Sequence, residues 1–431
     1  MKRMLAALFI AFALPAQAEL NIKEVTSPGG ITAWLVEDHN IPFTALEIQF
    51  RGGASLDSPE KLGAVNLMTA LIEEGAGDMD SQAFAEARDG LAANFSFEAG
   101  GDSVGVSVRF LTENRDPAVA LLREALVNPR FDQDAVDRVR GQVLSILRSD
   151  EKDPGTIAGN TFDKLAFGNH PYGAPDDGTI ETVTALTRDD ILASYKGALA
   201  RDRIYVAAAG DITAAELGPL LDRLFGDLPA TGAALPPRAE WLLPPGQSVV
   251  DFPTPQSTVL FGHVGVPRDD KDFFAAFLLN EVMGGGRFTA RLMSEVREKR
   301  GLTYGIGTYL VPMDQSEMLL GQFSASNDKV AEAIDVIRAE WSRIASEGIT
   351  PDELAATKTY LTGSYPLRFN GNSPIARILV GMQMEGLPID YAVTRNAQIE
   401  ALTMDDIKRV AQRIFLPEAL HFVIVGQPTG L

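Results

Sequence analysis

The strongest constraint on the fold is that one stretch of this sequence occurs twice. Residues 183–210 lie on residues 399–426 without a gap: Ala185-Leu186-Thr187 on Ala401-Leu402-Thr403, Asp189-Asp190-Ile191 on Asp405-Asp406-Ile407, and Gly210 on Gly426. A constant offset across a helix and a strand marks a duplicated structural unit. In both copies a threonine stands where a helix N-cap is needed, an aspartate pair follows in the first turn, and an apolar run, Ile204–Ala208 or His421–Val425, reads as a strand. A weaker echo pairs Gly90-Leu91 with Gly301-Leu302.

Between the halves the chain changes character. Pro229, Pro236, Pro237, Pro244, Pro245, Pro253 and Pro255 fall within residues 229–257, and proline at that density excludes helix interiors and central strands. The segment reads as a linker between an N-terminal domain, 19–228, and a C-terminal domain, 258–431. In the first, alternating patterns predict strands at Ile31–Val36, Thr44–Arg51, Ala93–Glu98 and Gly105–Phe110. Helical periodicity runs through Ala64–Glu74, Gln82–Asp89, Ala118–Leu126 and Gln133–Arg148. Hairpin-like strand pairs set apart from runs of helices predict an α+β fold: two homologous domains, each an antiparallel-rich sheet packed with helices, facing a common space as half of a clamshell.

Lys2 and Arg3 precede an apolar run, Met4–Leu14, and Ala16-Gln17-Ala18 offers the small residues of a cleavage site, so residues 1–18 read as a signal peptide. The expected location is the periplasm. No later apolar run has the roughly 20 residues of a membrane span. With no cysteine, an exported chain of this length has neither a disulfide framework nor a thiolate metal site, and its stability must come from its core. The formal charge of −20 argues against nucleic acid and anionic lipid as partners.

Three segments carry a resemblance. Arg51–Asp57 followed by Gly63–Ala70 is similar to the opening of the insulinase/pitrilysin family of zinc peptidases, whose inverted motif is H-x-x-E-H. The run GGGRFTARLMSEVREKRGLTY, Gly284 to Tyr304, resembles that family's glycine-rich loop and its arginine/tyrosine pair, and His170-Pro171-Tyr172-Gly173 resembles a further signature. Laying the zinc motif on this chain puts Asn66 and Ala70 at the histidine positions, Thr69 at the general-base glutamate and Ile146 at the third ligand. Zinc needs three protein donors, and alanine and isoleucine have none; a threonine hydroxyl does not replace a carboxylate base. The four histidines, His39, His170, His263 and His421, are far apart in sequence, and no metal is expected in this chain. The resemblance implies that Arg297 and Tyr304 position substrate carbonyls and stabilise the tetrahedral intermediate in trans, with Gly284, Gly285 and Gly286 contacting the peptide. It also implies a zinc-bearing homologous partner with an intact H-x-x-E-H, and extended or unfolded peptides as substrate. The expected function is that of the non-zinc-binding subunit of a heterodimeric periplasmic metallopeptidase, inactive alone. The alternative is a non-enzymatic protein that binds extended peptides.

Overall fold

The structure, a computed structural model, describes residues 21–431. The expected signal peptide lies outside the described residues. Eight strands belong to the first half: β1 (Lys23–Thr26), β2 (Thr32–Glu37), β3 (Phe43–Arg51), the short pair β4 (Gly75–Ala76) and β5 (Met79–Asp80), β6 (Asn94–Ala99), β7 (Ser103–Leu111) and β8 (Ile204–Gly210). Six of them form one sheet in the order β1-β2-β8-β3-β7-β6, antiparallel except where β2 meets β8. The second half contributes β9 (Gly246–Asp251), β10 (Gln256–Val264), β11 (Ile306–Pro312), β12 (Glu317–Ser326) and β13 (His421–Gly426), in the order β11-β12-β10-β13-β9. Again one pair, β13 with β9, is parallel. Two sheets of one topology, each packed with helices, are the expected α+β architecture, one half of a clamshell.

The local signals in the repeat behave as the sequence requires. Thr187 accepts a hydrogen bond from the Asp190 amide and Thr403 from that of Asp406, and each aspartate returns a bond to its threonine's backbone N–H, a reciprocal capping box. The helix expected over Ala64–Glu74 ends sooner, at Ala70. The proline-rich segment also needs correction. Gly246–Asp251, inside residues 229–257, is not linker but β9, the counterpart of β2, and β10 already begins at Gln256. Prolines 244, 245, 253 and 255 flank this strand rather than interrupt it, and the strand lies at a sheet edge, where prolines nearby cost the ladder little.

Apart from His421 at the start of β13, the runs of β8 and β13 are apolar because both faces of each strand are covered. On one face Val206 and Ala208 enter the core of the first half, and Phe422 and Ile424 that of the second. On the other face the two halves exchange helices. Helix Asn372–Met384, from the second half, lays Ile375, Leu379, Val380 and Met382 against Ala207 and Ala209 of β8 and Trp34 of β2. Helix Pro154–Phe167, from the first half, lays Phe162, Ala166 and Phe167 against Val423 and Val425 of β13. At roughly 1.5–3 kcal/mol per fully buried large aliphatic side chain, the four residues of the first of these helices contribute on the order of 6–12 kcal/mol before ordering costs. The sheets are therefore held in one body by more than the connecting segment.

A polar contact reinforces the exchange. The Tyr172 hydroxyl donates to Asp102 Oδ1 (2.6 Å) and accepts from the Gln315 amide (2.9 Å), while Asp102 Oδ2 accepts from the Asp314 amide (3.0 Å). Arg51 pairs with Asp314 at 2.6 Å. The His170–Gly173 signature thus ties the first half to the turn between β11 and β12. His170 braces it, accepting at Nδ1 from the Tyr172 amide and donating from Nε2 to the Pro237 carbonyl.

Candidate functional site

The degenerate zinc positions sit on two helices that pack together, Ala64–Ala70 and Gln133–Asp150. Buried Asp57 sets the first of these, its carboxylate accepting from the Gly63 and Val65 amides at the helix start. Asn66 is half-buried and its amide nitrogen donates to Asp177 Oδ1 (2.7 Å). Thr69 points inward, its hydroxyl donating to the Val65 carbonyl (2.8 Å). Ala70 is exposed, and Ile146 is 57% exposed on the outer side of its helix. None of these groups offers a metal a lone pair in concert with another. Among the described residues no cluster of three or more His, Cys, Asp or Glu is placed to hold an ion. The histidines are spent elsewhere: His39 on Asp211, His263 between the Val264 carbonyl and the Trp341 indole, and His421 between the Pro244 carbonyl and Ser248. The family's zinc does not fit this chain.

In the second half the same sheet position opens onto a cavity of about 1200 Å³. Its walls are the edge strand β11, the glycine-rich loop, the start of helix Pro154–Phe167, and side chains from helices Phe273–Met283, Asn372–Met384 and Tyr391–Ala401. Gly284, Gly285 and Gly286 all line it. Gly284 is a glycine because the loop lies directly on β11: its carbonyl accepts from the Thr308 amide (2.8 Å), and a Cβ there would come within 2.6 Å of Thr308 Oγ1. Asn280 completes the cap by donating to the Thr308 carbonyl (3.2 Å). Gly285 lies as closely on Glu281. Gly286 faces open space but adopts φ 83°, where a side chain is strained. The first two glycines therefore shape the wall, and the third lets the loop turn.

Tyr304 lines the same cavity, 88% exposed, and its hydroxyl makes no hydrogen bond with any described residue. Arg297 lies on a short π-helical stretch, Met293–Glu298, of the kind found often at functional sites, and its guanidinium lies 5.0 Å from the centre of the exposed Phe288 ring. Gly301, at φ 60°, ends that segment by donating its amide to the Arg297 carbonyl (2.9 Å). Arg297 is not part of the cavity lining, so the structure brings Tyr304 and the glycines together and leaves the arginine to one side.

Other residues of the cavity carried no signal in the sequence. Asn280 Oδ1 and Thr308 Oγ1 are buried without a hydrogen-bond partner, in residues 3% and 4% exposed. Arg268, Arg368, Arg395, Tyr365 and Tyr391 gather at one end from three separate stretches of chain. Burial pushes the carboxyls of Glu281 and Glu385 up, and the Tyr365 phenol up to about 12.

Residues 33–175 match the family described as insulinase (peptidase family M16), and residues 185–361 match that described as the peptidase M16 inactive domain. A Helicobacter pylori protein named non-peptidase homolog YmxG is 25% identical over 427 residues, covering 99% of both chains. A Streptomyces coelicolor protein named as a zinc protease is 24% identical, covering 91% of this chain and 87% of that one. Among solved structures, the peptidase M16 inactive domain from Pseudomonas fluorescens superposes with a TM-score of 0.90 at 28% identity, covering 95% of this chain and 98% of that one. A protease from Helicobacter pylori shares the fold with a TM-score of 0.85 at 17% identity, over 94% of this chain and 99% of its own.

Proposed function

We infer that this chain, which belongs to the M16 insulinase family of peptidases, is the non-metallated subunit of a two-chain periplasmic zinc peptidase, and that it lends Arg297 and Tyr304 to peptide hydrolysis at a zinc-bearing homologous partner. One contrast carries the reading. The zinc positions hold a committed amide, a buried hydroxyl and two hydrocarbon side chains, while across the repeat a tyrosine hydroxyl stands uncommitted at the mouth of a large cavity. No chemical step runs through a metal held by this chain.

What the chain supplies is donors and a wall. A phenol and a guanidinium aimed at a peptide carbonyl strengthen their hydrogen bonds as negative charge develops on that oxygen, and one such donor is worth about 3 kcal/mol in a site that excludes water. The capped edge of β11 and the glycine loop form the surface along which an extended peptide passes. The periplasmic location rests on the basic and apolar start of the sequence. A second reading, peptide binding without hydrolysis, draws support from Arg297, which is stacked on Phe288 and stands outside the cavity lining.

Mixing separates them. The chain alone should carry no stoichiometric zinc and cleave nothing. Titration with a homologue bearing intact H-x-x-E-H should raise peptidase activity to saturation at a fixed ratio. Saturable peptide binding with no gain in the partner's turnover would favour the binding-only reading, and chelator-sensitive cleavage by the pure chain would refute both.

A further inference from the structure

We propose that Arg268, Arg368 and Arg395 form a carboxylate-binding subsite at one end of the cavity, so that this chain selects extended peptides bearing a negative charge, on an acidic side chain or at a free C-terminus. The proposal rests on the reading that a peptide lies along the cavity beside Tyr304.

The first observation is a group of cations without salt bridges. The chain has 58 acidic and 38 basic residues, and its arginines commonly pair with carboxylates, as Arg409 and Arg413 do with Asp272. Among the described residues none of the three cavity guanidiniums makes a salt bridge. Arg268 donates to the Tyr391 hydroxyl (2.9 Å) and lies 4.3 Å from the centre of the Phe273 ring. Arg395, 5% exposed, donates to the Leu361 carbonyl (3.2 Å) and Asn396 Oδ1 (3.1 Å) and lies 4.2 Å from the centre of the Tyr365 ring. Arg368 is exposed and has no hydrogen-bond partner among the described residues. All three act electrostatically on the Tyr365 phenol, which places them around one ring. Aromatic faces and neutral oxygens hold these cations in place without a direct ion pair, and three guanidiniums gathered against two buried carboxylates leave an excess of positive charge that favours a bound anion. Two carboxylates also line the cavity within electrostatic reach of these cations, Glu281 of Arg368 and Arg395 and Glu385 of Arg268, but burial disfavours the charge of both and, among the described residues, neither forms a salt bridge with any of the three.

The second observation indicates a peptide rather than a bare anion. A site for a simple anion needs donors only, whereas this cavity of about 1200 Å³ is also walled by the edge strand β11, the glycine loop and the rings of Phe273, Phe274, Phe277 and Tyr309, which suit the chain of a peptide. The guanidinium forks and the Tyr365 hydroxyl, which stays protonated at neutral pH, would then take the carboxylate.

Three labelled peptides of one sequence test this by fluorescence anisotropy on the chain alone, without partner or turnover: one with Gln and an amidated end, one with Glu and an amidated end, and one with Gln and a free end. At least one charged peptide should bind about 10-fold or more tightly than the neutral one, as expected for a hydrogen-bonded charge. Which peptide gains identifies the source of the carboxylate. The exposed Arg368→Ala change, and Arg268→Gln separately, should cut that advantage to about 2-fold or less while the neutral peptide binds as before. Equal binding of all three peptides, no binding by any, or an advantage that survives both changes overturns the subsite. If the charge preference stands while mixtures with a zinc-bearing homologue never turn over, the subunit reading fails and the subsite remains.

Discussion

Tyr172→Phe should loosen one half of the molecule from the other while barely altering its packing. The ring is 6% exposed and is met edge-on by Phe167, so phenylalanine fills the same space. What is lost is a hydroxyl with two duties, donating to Asp102 and accepting from the Gln315 amide. A hydrogen bond to an ionised acceptor is worth about 1.5–3 kcal/mol, and a buried amide left unpaired costs about 1–3 kcal/mol. Asp102 keeps the Asp314 amide and Gln315 is only half-buried, so the total should fall at roughly 2–4 kcal/mol, around the lower end of the summed range of about 2.5–6 kcal/mol. The loss should be local, because the partners are the turn between β11 and β12. Hydrogen exchange read by mass spectrometry on a peptide spanning residues 312–318 should lose protection by a factor of roughly 30 to 1000. Tyr195→Phe is the control: that hydroxyl donates to Leu126 within the first half, and its removal should leave the turn's exchange unchanged. If Tyr172→Phe leaves protection of the turn within about 2-fold, the contact does not join the halves and the energetic reasoning fails.

The remaining predictions concern charge, backbone and connection. Burial pushes Asp163's carboxyl up to about 7, with Asp176 beside it, so the folded chain holds a proton that the unfolded chain releases near pH 4; this contribution to stability is lost as pH rises towards 7. His263 and His421, held neutral by burial, act in the opposite direction below the ordinary histidine range. Asp163→Asn should therefore gain urea stability relative to the native chain at pH 8 compared with pH 5, and an equal effect at both would refute the assignment. Gly284→Ala should cost about 1–3 kcal/mol by driving a methyl into Thr308, against about 1 kcal/mol for Gly286→Ala, whose side would be open; chemical denaturation of the two variants reads the order, and the reverse order refutes it. Protease should nick first at residues 234–236, because Gly232, Ala233, Pro237, Ala239, Leu242 and Gly246 on either side are each hydrogen-bonded into the fold, and the fragments should elute together on a sizing column because of the exchanged helices. Cleavage beginning elsewhere, or fragments that separate without denaturant, would refute this.

What could be read from the sequence was what is local. Thr187 and Thr403 announce their helices through spacing alone, Gly301 marks the end of a segment, and the losses at Ala70 and Ile146 are visible as residue types without lone pairs. The apolar runs of β8 and β13 were visible too, but not what covers their second faces. The helices that do so begin about fifty residues before β8 in one half and about fifty before β13 in the other, and each crosses to the opposite sheet. No periodicity encodes that choice. Residues 246–251 were hidden because prolines on both sides dominate the composition while the strand itself, GQSVVD, is short and half polar. The cavity's arginines were not legible for a similar reason: Arg268, Arg368 and Arg395 read in sequence as ordinary arginines of separate segments and become a group only when helix Tyr391–Ala401 and the turn at Tyr365–Phe369 meet the start of helix Phe273–Met283.

The central claim is that this chain completes an active site whose metal lies elsewhere, and Tyr304→Phe tests it most directly. The side chain is 88% exposed and its hydroxyl bonds to no described residue, so the change removes one oxygen without disturbing the fold. Steady-state kinetics on the reconstituted pair, with complex formation measured separately by size, should show assembly intact and turnover reduced by roughly 100-fold, mainly in kcat. Unchanged kcat and KM in an intact complex would contradict the account and leave the cavity as a peptide-binding site alone.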